Sequence, residues 1–158
     1  MSKKQLRITD KESAQAICAM IRSELIGQSL SLPGRSLPSI LLLKFGELRW
    51  VDSRHQHGYC DFLIEAADWV IWAEDRLTAS NESCVADIDA ALLQLKGAIV
   101  RQVIVHEDLR SIIIEFGSGS RIQANICPDE ALDSQWTFYR GEKWNVSLEA
   151  DKTLVVEA

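Results

Sequence analysis

His55, His57, Cys60 and Asp61 form the one cluster in this chain made entirely of metal-ligand side-chain types, and on an extended segment His55 and His57 point to the same side. They sit in and just after the polar stretch Asp52-Ser53-Arg54-His55-Gln56-His57-Gly58, whose competing reading is a solvated loop, and the expectation is no bound metal. Cys18, Cys60, Cys84 and Cys127 are scattered, with no Cys-x-x-Cys pair, which predicts buried free thiols rather than a zinc site or a disulfide framework. Gly117-Ser118-Gly119 lies between two strand-like runs and not between a strand and a helix, so it is no phosphate loop. With no serine-nucleophile motif either, the sequence predicts no catalytic residue and no cofactor.

The elements that would position such residues belong to one domain. The chain has 158 residues, 47% hydrophobic and 25% charged, which suits a single packed core spanning 1–158. A net charge of −6 without a basic stripe argues against a nucleic-acid binder held by phosphate contacts. The run Ile40-Leu41-Leu42-Leu43 stops at Lys44, far short of the roughly 20 apolar residues a bilayer requires, so no membrane association is expected. Met1-Ser2-Lys3-Lys4-Gln5 has no apolar segment behind it, and the expected location is the cytoplasm.

Self-similarity is the strongest signal. Leu41-Leu42-Leu43-Lys44-Phe45-Gly46 matches Ile112-Ile113-Ile114-Glu115-Phe116-Gly117, and residues 69–80 align without a gap to 136–147. Cys60 precedes Trp69 by nine positions, as Cys127 precedes Trp136, which makes the two cysteines candidate equivalents. Leu25-Ile26-Gly27 matches Leu95-Lys96-Gly97, each at the end of an amphipathic stretch. Ala14, Ile17, Cys18, Ile21 and Leu25 lie on one helical face, with Asp10 as N-cap; Val85, Ile88, Leu92 and Leu95 repeat the spacing, with Ser83 as the expected cap.

Short β-branched and aromatic runs predict strands over 28–32, 40–45, 48–51, 59–64, 69–73 and 77–80, then 99–105, 111–116, 121–126, 135–139, 143–148 and 153–156. The stretch 32–38 reads as a turn, because Pro33 and Pro38 cannot donate in a central ladder. The expected fold is therefore α+β: an internal duplication of a helix plus an antiparallel β-meander, over about 10–80 and 82–157, with the two halves packed about a pseudo-two-fold axis.

The L-x-G step, the aliphatic strand ending in Phe-Gly and the tryptophan-led strand pair with an acidic-basic turn resemble small uncharacterised bacterial proteins. Some of these are candidate immunity proteins of polymorphic toxin systems. The resemblance spans both halves and implies a non-enzymatic protein-binding module of the kind that neutralises a toxin. The alternative is a small-molecule-binding protein or enzyme with its site in the seam between the halves.

Charge suggests where a partner would bind. Residues 1–80 hold 10 basic and 10 acidic side chains, whereas 81–158 hold 7 and 13, so the whole excess of −6 lies in the second half. In an up-and-down meander, alternate turns emerge at one edge, which groups Glu107, Asp108, Asp129, Glu130, Asp133 and Asp151 into an acidic face for a basic partner such as a toxin domain. Trp72 and Trp144, one per half and unmatched in type, are candidates for an exposed aromatic patch, while Trp69 and Trp136 are expected in the core.

Overall fold

The computed structural model describes residues 3–127 and 134–158. Its described residues form an α+β fold, two helices and antiparallel strands. The order is β1 (Gln5–Ile8), α1 (Lys11–Leu25), β2 (Leu30–Ser36), β3 (Ile40–Phe45), β4 (Arg49–Trp50), β5 (Gln56–His57), β6 (Cys60–Ile64), β7 (Asp68–Ala73) and β8 (Arg76–Ser80). Then follow α2 (Val85–Leu95), β9 (Val100–Val105), β10 (Ser111–Phe116), β11 (Ser120–Asn125), β12 (Trp136–Arg140), β13 (Trp144–Leu148) and β14 (Leu154–Glu157).

Helix α1 begins where the sequence demands it, with the Asp10 carboxylate accepting from the Ser13 amide at 2.8 Å. Helix α2 does not use Ser83: its N-cap is Cys84, without a side-chain bond, because the Ser83 hydroxyl instead accepts the Ser80 amide at the end of β8. Both helices end two residues before a left-handed glycine, Gly27 (φ 87°) and Gly97 (φ 83°). Beyond them the chain segments pair with each other around Ser29 and Ile99. The bonds come in matched sets: Gly27 N to Val100 O with Gly97 N to Leu30 O, and Leu30 N to Ala98 O with Val100 N to Gln28 O, all 2.8–2.9 Å.

The sheets depart from two self-contained meanders. One has the order β1-β14-β13-β12-β6-β3-β2 and the other β8-β7-β11-β10-β9. Strands β2, β3 and β6 of the first half are thus completed by β12 and β13 of the second, while β9, β10 and β11 are completed by β7 and β8 of the first. At the crossing, the amides of Glu65 and Ala67 bond to the Gln135 carbonyl. Trp69 on β7 and Trp136 on β12 are both buried, opposite Ala124 and Ile64 respectively. A period-two pattern looks the same whichever strand lies alongside, which is why the exchange is silent in the sequence.

Register extends the correspondence. Leu43 pairs with Phe62 as Ile114 pairs with Ile122, and Lys44–Asp61 is answered by Glu115–Arg121 with the charges reversed. Both halves carry a bulge at the same place, after Leu30↔Phe45 in one and after Val100↔Phe116 in the other. The cysteines break the pattern. Cys60 pairs with Phe45 inside β6, whereas Cys127 lies beyond β11, so their common distance from a tryptophan is not a common position. Nor are all four thiols buried, since Cys84 is exposed and Cys127 half-buried.

Leu41, Leu43 and Phe45 on β3 and Ile112, Ile114 and Phe116 on β10 face one continuous core with Trp69, Ile71, Trp136 and Phe138. Helix α1 packs on β9 and helix α2 on β2 and β8, so helices too cover the opposite half. The 32–38 stretch is not a turn throughout: Pro33 lies within β2, opposite Leu43. It is tolerated because β2 ends its sheet, where one side of the ladder needs no donor.

Candidate functional site

The largest departure between the halves is the connection after the Phe-Gly step. Between β10 and β11 it is a tight turn at 117–119, whereas between β3 and β6 it carries the β4–β5 hairpin outside both sheets. Arg49 pairs with His57 and Trp50 with Gln56 in this hairpin. Its tip is closed by Asp52, whose carboxylate accepts the Arg54 amide at 2.7 Å and the His55 amide at 2.9 Å and meets His55 Nδ1 at 2.8 Å.

The neck is pinned from within. Gly58 is buried, and a Cβ there would overlap the Phe45 carbonyl oxygen, so only glycine lets the returning strand come this close. Asp61, 3% exposed, accepts the Gly58 amide at 2.9 Å and holds His57 Nδ1 at 2.7 Å, while Lys44 Nζ donates to the Gln56 carbonyl. These fixed points leave Trp50 67% and Val51 47% exposed on a braced platform.

The turn between β12 and β13 faces the hairpin from the other half. Arg140 lies flat over the Tyr59 ring, 3.6 Å from its centroid, with Nε donating to Glu24 of α1 at 3.2 Å and Nη1 to the Tyr59 carbonyl at 3.1 Å. The Tyr59 hydroxyl donates to the same Glu24 carboxylate at 2.7 Å, which, with burial, holds the phenol above its ordinary pKa. Between hairpin and turn lies an open recess of about 450 Å³, lined by Arg49, Trp50, Val51, His57, Arg140, Gly141, Glu142 and Lys143. A smaller one beside it adds Glu47 and Tyr59. Arg49 and Lys143 form no ion pair among the described residues.

His55 and His57 go to different carboxylates and do not converge with Cys60, whose thiol is pushed up to about 12, chiefly by burial. The donor set of the His-x-His stretch therefore serves hairpin geometry.

Of the expected acidic face, Asp129, Glu130 and Asp133 lie outside the described residues. Glu107 and Asp108 are neighbours in one turn, and Lys152, next to Asp151, reaches Asp108 at 3.7 Å. Their charge is met within the chain, however. Asp108 also contacts His106 and Arg110, Lys11 sits 3.3 Å from Glu107, and the Asp151 carboxylate accepts the Thr153 amide, which holds it below the usual carboxylate range.

Trp72 and Trp144 are not an exposed patch. Trp72 is half-buried on β7 under the Arg121 guanidinium, and Trp144 packs on Phe138 at 5.4 Å between ring centroids. They also occupy non-matching strands, since the register that pairs Trp72 with Arg121 pairs Tyr139 with Asp61. The exposed tryptophan is Trp50, and the signal that could have found it was the extra length of 47–58 against 117–119.

No protein-family model matches the chain, nor does any curated protein. Among solved structures, the N-terminal domain of the fibronectin-binding protein PavA from Streptococcus pneumoniae is similar at 16% sequence identity with a TM-score of 0.40, over 89% of this chain and 49% of that one. The chain thus spans about half the length of that structure.

Proposed function

We propose that this chain is an internally doubled, non-enzymatic protein-binding module whose contact face is the recess under the Trp50 hairpin. The doubling is supported by the matched bulges, the paired bonds around Ser29 and Ile99 and the reciprocal strand exchange. The binding reading rests on one observation. A tryptophan 67% exposed is held on a hairpin braced by Asp61, Lys44 and Gly58, in the half that carries the extra segment, and it adds nothing to the core. Tryptophan and arginine anchors with restricted motion are what dominate protein interfaces.

The resemblance to candidate immunity proteins extends this to toxin neutralisation. A basic toxin domain against Glu107, Asp108 and Asp151 is supported less well than the recess, because Lys11 already meets Glu107 and both Arg110 and Lys152 meet Asp108. A second reading keeps the same place. The recess is formed where residues of the two halves meet, and a small molecule seated there would find His57 oriented through Nδ1 by Asp61.

A photo-cross-linking residue in place of Val51, used in cells that encode the protein, identifies the partner, and the purified pair then gives a Kd. Trp50→Ala should weaken that Kd at least tenfold while Ser118→Ala, in the tight turn of the other half, leaves it unchanged. A partner bound equally by Trp50→Ala would overturn the assignment. A small ligand lost in His57→Ala but kept in Trp50→Ala would favour the seam reading.

A further inference from the structure

The recess also carries information about what it would hold. Its lining has three cations, Arg49, Arg140 and Lys143, and one carboxylate, Glu142, in a chain whose net charge is −6. Arg140 is fixed by Tyr59 and Glu24 through Nε and Nη1, and no described hydrogen bond engages its Nη2. A guanidinium already locked in place loses little freedom when it binds an oxyanion.

The corresponding recess in the other half is an internal control. It lies between the β7–β8 turn and the 117–119 turn and is lined by Ala73, Glu74, Asp75, Arg76, Ser118 and Ser120. By strand register Ala73 stands where Arg140 does, and Arg121, which lies over Trp72 and donates to the Glu74 carbonyl, does not line this recess. Arg49 and Trp50 are likewise without counterparts, as the tight turn has no room for them.

Building on the protein-binding reading, we infer that the recess takes an acidic segment of its protein partner, with a carboxylate between Arg49, Arg140 and Lys143 and an adjacent apolar side chain on Trp50 and Val51. A long polyanion fits less well. Glu142 in the recess and Glu47 beside it interrupt the positive lining, and a nucleic acid would need a basic track continuing past them.

Two eight-residue peptides, alternating glutamate with phenylalanine or glutamine with phenylalanine, test this by titration into the intact, isotopically labelled protein. The glutamate peptide should bind at least tenfold more tightly, shift the Trp50 indole and the Gly141 amide, and weaken as salt rises. Arg49→Gln combined with Lys143→Gln should remove at least tenfold of that affinity; both side chains are exposed, and an unchanged melting temperature confirms that the fold is kept. Equal binding of both peptides overturns the inference, as does binding of inorganic phosphate or single-stranded DNA in preference to either, or no shift at the recess. If the glutamate peptide fails while the cross-linked partner still requires Trp50, the acidic chemistry falls and the protein-binding reading stands. If that partner is also insensitive to Trp50→Ala, both fall.

Discussion

The hairpins β3–β6 and β10–β11 share their register, and β2–β3 and β9–β10 share a bulge, yet the two central hairpins end in opposite ways. At 117–119 the chain turns as tightly as it can; at 46–59 it builds a separate platform and lays the Arg140 turn of the other half against it. What is shared lies in the core, and what differs lies at the surface. A packed core constrains the sequence on both sides, while a connection at the surface is free to vary.

Severing the framework tests that division most harshly. One sheet takes three strands and the other two from the opposite half, so residues 1–81 or 82–158 expressed alone should give no cooperative monomeric melt, while co-expression of the two pieces should restore one. A monomeric half that melts cooperatively would break the exchange.

A matched pair of core deletions comes next. Phe45 and Phe116 are both fully buried, and Phe45→Ala and Phe116→Ala should each cost about 3–5 kcal/mol in denaturant melts. A cost at one position no larger than that of a surface substitution would show that the corresponding sites are not energetically alike.

Cysteine labelling probes the one mismatch inside the correspondence. Burial raises the thiol of Cys18 to about 11 and that of Cys60 to about 12, so at pH 8 an alkylating agent should modify exposed Cys84 and half-buried Cys127 and spare the other two. Mass spectrometry of the folded protein reads this directly, and rapid modification of Cys60 would contradict its position in β6.

The smallest effect contrasts the hairpin tip with the tight turn. Asp52 is held below its ordinary pKa, first by the Arg54 amide and then by His55. Its stabilising effect is full above the unfolded carboxylate value and is lost as pH falls through the lower folded value. Exchange at the Arg54 and His55 amides, corrected for its intrinsic pH dependence, should therefore rise in that acid window while the Gly119 amide, which donates to the Phe116 carbonyl, stays protected.

Sequence reading reached the helices and most strand positions because each leaves a local trace: Asp10 before an apolar helical face, Phe-Gly at a strand end. It could not reach the exchange of β7 and β12, since alternation marks which face a residue takes and never which neighbour it has. Pro33 misled because its effect depends on whether a strand is central or at an edge, which is a property of the assembled sheet. The recess was illegible for a related reason. Arg140 and Tyr59 are remote in sequence and meet only through the exchange, and the acidic face was inferred from charges without the lysines and arginines that fold against them.

The exchange has a further consequence for how the chain is made. During synthesis the first half emerges with β2, β3 and β6 in place, but β12, the strand that pairs with β6, is complete only once residue 140 has been added. Until then β6 has an open edge and the aliphatic face beneath it has no cover. An unpaired strand edge of this kind can pair with the wrong strand, and completing the sheet of the first half waits on the second half of the chain rather than on its own first helix and strands.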